Sequence, residues 1–217
     1  MQSSIGCRVP HSRRPPSPNL SRIADLLTLL KVFLMAATGI LLGLGATWLA
    51  VDRGLGFGAI RAGVWTAWPK TGSLAIDPYS SARLARTGEI PLGLAEGLSL
   101  IASQDEDGQT LTGTCEYLLT GRMPPARFWT LTPSTPRGAL IDNRAHRFGL
   151  TSSEILRRDD GDFQVLMAPN ARPGNWLPVE TASDFMLVLR LYDTAVSATS
   201  TAIEAATLPQ VRKVACR

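Results

Sequence analysis

The sequence predicts a mainly β protein: an antiparallel β-sandwich or jelly-roll-like domain preceded by one transmembrane α-helix and a short helix. Three observations carry that expectation. Residues 32–51 read VFLMAATGILLGLGATWLAV, twenty residues without a charge. Behind them, about 165 residues hold short apolar and β-branched runs, broken at intervals by Gly, Pro, Asn and Asp. In the clearest run, Phe185, Leu187, Leu189 and Leu191 share one face of an extended chain, and Met186, Val188, Arg190 and Tyr192 share the other.

The chain opens on a basic tail. Residues 1–20 include Pro10, Pro15, Pro16 and Pro18 among serines and arginines. Such a composition buries no core, so disorder is expected, and a basic tail beside a bilayer is drawn to anionic headgroups. Residues 21–30 (SRIADLLTLL) are helical in pattern and lead into the apolar stretch, with Ser21 as the expected N-cap.

The apolar stretch opens at Val32, behind Lys31, and closes at Val51, before Asp52 and Arg53. At ~1.5 Å per residue, twenty helical residues cover roughly 30 Å, the hydrocarbon thickness of a bilayer. A cleaved signal peptide is the competing reading. Its apolar region is usually ~7–15 residues, shorter than this one. Gly39 and Gly43 set a small-xxx-small face on the helix, through which two copies could pack as a homodimer; the alternative is the ordinary glycine content of a span. Trp48, Trp65 and Trp68 suit an interfacial aromatic belt, with ordinary packing as the alternative for the last two.

Charge gives the orientation. The net charge is +4. Five basic residues (Arg8, Arg13, Arg14, Arg22, Lys31) and one acid (Asp25) precede the stretch; the remaining 17 basic and 17 acidic residues follow it and cancel. A basic flank ahead of a first span keeps the N-terminus cytoplasmic. The neutral outer domain offers no field for nucleic acid, so no nucleic-acid partner is expected. The expected divisions are a basic cytoplasmic tail with a helical end (residues 1–31), a transmembrane helix (32–51), a juxtamembrane linker (52–72) and a periplasmic β-sandwich (73–217), the whole in the inner membrane.

Of the three cysteines, Cys7 lies in the tail, whereas Cys115 and Cys216 lie in the outer domain and are an expected disulfide in an oxidising compartment. Closing a loop of about 100 residues is worth about 4.7 kcal/mol in the chain-entropy model. The alternative is a pair of buried thiols.

Within the outer domain, residues 54–73 read as a glycine-rich lead-in. Asp77 then caps a helix of about ten residues that has Pro78 in its first turn and ends at Gly88. Strands are expected at residues 98–102, 110–119, 127–132, 163–167, 185–192 and 210–215. Turns separate them at 105–108, 121–125, 134–138, 159–161 and 170–174.

Several stretches stand in a recognisable order: Gly63-Val64-Trp65, Trp68-Pro69, Asp77-Pro78-Tyr79, Ala85-Arg86-Thr87-Gly88, Pro91-Leu92, then Gly113 and Tyr117. Arg127-Phe128-Trp129-Thr130-Leu131-Thr132, Asn175-Trp176-Leu177-Pro178 and Leu189-Arg190-Leu191-Tyr192 follow. In these the chain resembles the bacterial "domain of unknown function 1214" family, particularly its short membrane-anchored members, over residues 63–212. The resemblance implies a β-rich, jelly-roll-like sandwich; the family supplies no activity to carry over. Two positions depart from the family pattern: Phe128 stands where a second tryptophan is common, and Asp193-Thr194-Ala195 where a proline often follows the strand.

Little here points to catalysis. The outer domain has one histidine, His146, and His11 lies in the tail; catalytic zinc sites usually take three protein ligands, commonly histidines. There is no G-x-S-x-G turn. A Cys115–His146 thiolate pair is conceivable chemistry, but a disulfide would remove the nucleophile. The acidic clusters Asp105-Glu106-Asp107 and Asp159-Asp160-Gly161-Asp162 fall in turns and are expected to face water. Neither has EF-hand spacing. No metal and no cofactor is expected. The remaining constellation is Tyr79, Arg83, Arg127, Trp129, Asn175, Trp176, Arg190 and Tyr192, rings and planar donors suited to sugars, carboxylates or phosphates. Its structural alternative has Asn175 fixing a turn, Trp176 filling a sandwich edge and the arginines paired with carboxylates such as Asp77 or Glu96. The expected function is a non-catalytic envelope binding or scaffolding module for an unidentified ligand. The alternative is an envelope enzyme acting on a saccharide or cell-wall fragment.

Overall fold

The computed structural model describes residues 18–52, 58–87, 90–93, 95–179, 183–195 and 208–216. The expected disorder of residues 1–17, the position of Cys7 and the Gly88 helix stop lie outside them. The chain divides into two units, Met1–Leu49 and Ala50–Arg217.

Helix α1 (Pro18–Asp52), which makes up the described part of the first unit and ends three residues beyond it, is a single 35-residue helix. It starts earlier than the sequence indicated, so Ser21 lies inside it and is not the N-cap. Proline needs no intrahelical partner for its missing N–H at a helix start, which makes Pro18 a natural first residue. Arg22–Val51 is long and apolar enough to cross a membrane and none of its most apolar window is buried. Thirty residues at ~1.5 Å each run about 45 Å, the hydrocarbon core plus headgroup regions. The Thr28 and Thr38 hydroxyls each donate to the carbonyl four residues back, Ala24 and Leu34, at 2.8 Å. Their polar atoms are thereby satisfied inside the helix, as lipid requires.

The second unit is a two-sheet sandwich. The strands are β1 (Ile60–Ala62), β2 (Trp65–Ala67), β3 (Gly97–Ala102), β4 (Cys115–Gly121), β5 (Phe128–Ser134), β6 (Leu150–Thr151), β7 (Phe163–Ala168), β8 (Trp176–Pro178), β9 (Met186–Tyr192) and β10 (Gln210–Cys216). One sheet has the order β1-β2-β3-β9-β5-β6 and the other β10-β4-β7-β8. All pairings are antiparallel except β7 with β8, so the second sheet is mixed.

Alternation explains which faces meet. In the larger sheet Leu100, Leu189 and Leu131 lie in one register row, all fully buried. In the smaller, Val211, Leu119 and Val165 form the equivalent row. The two inner faces join through aromatic pairs. Trp129 of β5 stacks on Phe163 of β7 at 5.6 Å, and Tyr117 of β4 meets Phe185 edge-on at 5.7 Å.

Four short strands were not expected. Residues 54–73 read as a lead-in, yet β1 and β2 form a hairpin at the edge of the larger sheet. Its two-residue turn is possible because Gly63 adopts a positive φ of 60°. The Trp65 indole N–H donates to the Pro209 carbonyl at 2.7 Å, tying the hairpin to the approach of the last strand. The strand expected from residue 110 begins only at Cys115, because a turn intervenes, with Cys115 N–H bonded to the Thr112 carbonyl.

Helix α2 (Pro78–Thr87) is capped as expected. The Tyr79 and Ser80 amides both donate to Asp77 Oδ1 at 3.0 Å. The hydrogen bond from the Ser80 side chain holds the Asp77 carboxyl below its ordinary pKa, assisted by these amides and opposed by partial desolvation.

Candidate functional site

The eight sequence-derived candidates do not converge on one place. β9 presents Arg190 and Tyr192 on the face opposite its buried leucines. Register sets Arg190 between Ser99 of β3 and Thr130 of β5, and Tyr192 between Gly97 and Phe128. The Tyr192 and Phe128 rings lie 5.8 Å apart. The Ser99 hydroxyl in this row is buried without a hydrogen-bond partner among the described residues. Arg127 adjoins the row. Its amide donates to the Tyr192 carbonyl at 3.1 Å, and its guanidinium stands 3.5 Å from Asp193 in an exposed pair. The outer face of the larger sheet therefore carries Arg190 and Tyr192, with Arg127 just beyond its end.

Trp129 is 2 % exposed and stacked on Phe163, so its ring belongs to the core and offers no surface to a ligand. This corrects its expected place beside Arg127: odd-numbered residues of β5 face inward. Tyr79 sits half-buried in the first turn of α2, and Arg83 lies farther along that helix, its side chain outside the described set.

Asn175 and Trp176 lie at the other sheet, where both are committed to structure. The Asn175 amide donates to the Leu156 and Gln164 carbonyls, both at 2.8 Å, and its oxygen accepts the Leu156 amide at 2.7 Å. The Trp176 indole N–H donates to the Ala168 carbonyl at 3.1 Å. Asn175, with Gly174, walls one side of a cleft of about 560 Å³, whose other lining includes His146, Arg147, Phe148, Glu154 and Leu156. The sequence drew notice to His146 as the outer domain's one histidine, but not to Arg147 or Glu154.

A larger cleft of about 850 Å³ lies along the β1–β2 hairpin and the 103–108 turn. Asp105 beside it is 2 % exposed, against the expectation that this turn faces water. Its Oδ1 accepts the Asp107 and Gln109 amides at 3.1 and 2.8 Å, and Lys213 Nζ stands 3.9 Å from Oδ2. In the second acidic cluster Asp159 and Asp160 are exposed and Asp162 is half-buried; there Asp160 Oδ1 accepts the Asp162 amide, and Asp162 pairs with Arg122.

Cys115 and Cys216 are joined by a disulfide, so Cys115 carries no thiolate to pair with His146. Among the described residues, no group of three or more His, Cys, Asp and Glu side chains is placed to hold a metal ion.

Residues 96–196 match the family model described as "Protein of unknown function (DUF1214)". This is a shorter span than the resemblance in the motifs covers. The chain is similar to the crystal structure of the VPA0106 protein from Vibrio parahaemolyticus, with a TM-score of 0.50 and 22% identity over 65% of this chain and 36% of that one. It is also similar to an uncharacterised protein from Burkholderia cenocepacia, with a TM-score of 0.37 and 17% identity over 68% of this chain and 46% of that one. The chain thus spans less than half the length of either. The first likeness supports the fold. No curated protein matches the chain.

Proposed function

We propose that this chain, with its DUF1214 match at residues 96–196, is a single-pass inner-membrane protein presenting a β-sandwich to an oxidising, periplasm-like space. Its role there is that of a non-catalytic binding or scaffolding module. The observation that carries this reading is the Cys115–Cys216 disulfide in the domain that follows the apolar helix. Disulfides persist in oxidising compartments and are rare in the cytosol. The basic residues ahead of the helix favour a cytoplasmic N-terminus. The uncharged stretch exceeds the ~7–15 residues of a typical signal core, which favours a retained anchor over a cleaved leader.

On this reading an envelope ligand contacts the outer face of the larger sheet through Arg190 and Tyr192, with Arg127 at the end of that face. A Cβ at Gly39 or Gly43 would meet nothing within 4 Å. That open strip is where a second copy of the helix would pack to form a homodimer.

The test fuses a reporter active only in the cytoplasm to the C-terminus and follows the intact mass of the protein in alkali-washed membranes. No reporter signal and a full-length membrane-bound chain are expected. A strong signal, or a shortened soluble chain, would contradict the reading.

A further inference from the structure

The cleft beside Asn175 is preorganised on both sides. On one side Asn143, 5 % exposed, devotes its side chain to shaping the 143–147 loop. Its amide donates to the Ile141 and Arg147 carbonyls, both at 3.1 Å, and its oxygen accepts the Arg147 amide at 3.0 Å. This clamp holds His146 at φ 49°, a left-handed conformation uncommon for a residue with a side chain. On the other side Asn175 fixes Leu156 through the three bonds described above. Two buried or half-buried amides thus hold the walls before any ligand arrives, which lowers the ordering cost of binding.

Opposite charges line this cleft without neutralising each other. Arg147 Nη1 donates to the Trp176 carbonyl at 3.2 Å, and its guanidinium lies 6.0 Å from the Trp176 ring centroid. Glu154 Oε2 accepts the Thr151 amide and hydroxyl at 3.2 and 3.0 Å. Each is anchored locally, and among the described residues no salt bridge joins Arg147 or Glu154 to an opposite charge. The same cleft shows two large apolar side chains to solvent, Phe148 at 37 % and Leu156 at 66 %.

A cation, an anion and an apolar pair in one cleft complement a ligand with the same three features. We propose that it binds a small zwitterion with an apolar side chain, of the α-amino acid type, its carboxylate on Arg147 and its ammonium on Glu154. The guanidinium fork suits a planar carboxylate, and Glu154 Oε1 accepts from an ammonium. Phe148 and Leu156 cover the side chain. The volume of about 560 Å³ falls within the usual range for small-molecule sites. This site is separate from the sheet-face residues assigned above and does not depend on the compartment.

The test uses the full chain in lipid nanodiscs with three probes: L-phenylalanine, its carboxamide and its N-acetyl derivative. Calorimetry should show saturable binding of phenylalanine and losses of about tenfold or more for each derivative. R147Q should bind phenylalanine and its amide equally, and E154Q should bind phenylalanine and its N-acetyl form equally. Both carboxamide and acetyl discrimination should survive in Leu156→Ser while all three affinities fall. Glu154 and Leu156 are exposed, so those two variants decide the matter if R147Q does not fold. Absence of saturable binding, equal affinity for all three probes, or discrimination unchanged in E154Q would overturn the proposal and leave the topology reading untouched.

Discussion

Cys216, the last residue of β10, stands directly opposite Cys115, the first residue of β4, with their Cα atoms 4.0 Å apart and a disulfide between them. The bond closes a 101-residue separation and pins β10, at the edge of its sheet among the described residues, to β4. Replacing both cysteines by serine should therefore destabilise the sandwich by about 2–5 kcal/mol, through the freed unfolded state. Urea unfolding should show reductant lowering the midpoint of the native protein and leaving that of the double variant unmoved.

Trp65 couples the first hairpin to the chain just ahead of β10 through its indole N–H. Trp65→Phe keeps most of the ring volume and leaves the buried Pro209 carbonyl unpaired, at a cost of about 1–3 kcal/mol. Hydrogen exchange of the β2 amides should accelerate. Unchanged exchange and stability would show that this bond does not fasten the hairpin.

Trp129 and Arg127 are two residues apart and should behave as opposites. Trp129→Ala empties the inter-sheet stack on Phe163 and should cost about 3–5 kcal/mol. Arg127→Ala removes only an exposed pair with Asp193 and should cost less than about 1 kcal/mol. Chemical denaturation of the two variants makes the comparison. Similar losses would contradict the inward assignment of Trp129.

The cap of α2 carries a pH dependence. The folded-state pKa of Asp77 is depressed, chiefly by the Ser80 side chain. Its contribution is fully present above the unfolded carboxylate pKa near 3.8 and is lost as pH falls through the lower folded value. Asp77→Ala should cost about 0.5–2 kcal/mol at neutral pH, whereas Asp77→Asn, also a good N-cap, should cost less and remove this acid-range component. Helix content followed against pH for the three proteins distinguishes these outcomes.

Much of the architecture was legible because it rests on local pattern. The uncharged run in α1, the Asp77-Pro78 start of α2 and the alternation in β3, β5, β7 and β9 each appear in consecutive residues. β1, β2, β6 and β8 span two or three residues, too few for a period to show; their pairing partners make them strands. The alternation of Trp129 with Leu131 did carry the signal that the tryptophan points inward, but its arginine neighbour drew it into the surface group. The cleft around Arg147 and Glu154 was illegible for another reason. Its walls are set by bonds such as Asn175 to Leu156, nineteen residues apart, in a stretch without periodicity.

Peptide mass mapping of membrane-extracted protein, alkylated before any reduction, tests the proposed setting most directly. The expected result is a Cys115–Cys216 cross-linked peptide with Cys7 alkylated. Alkylation of both Cys115 and Cys216 in the native protein would contradict an oxidising compartment for the sandwich.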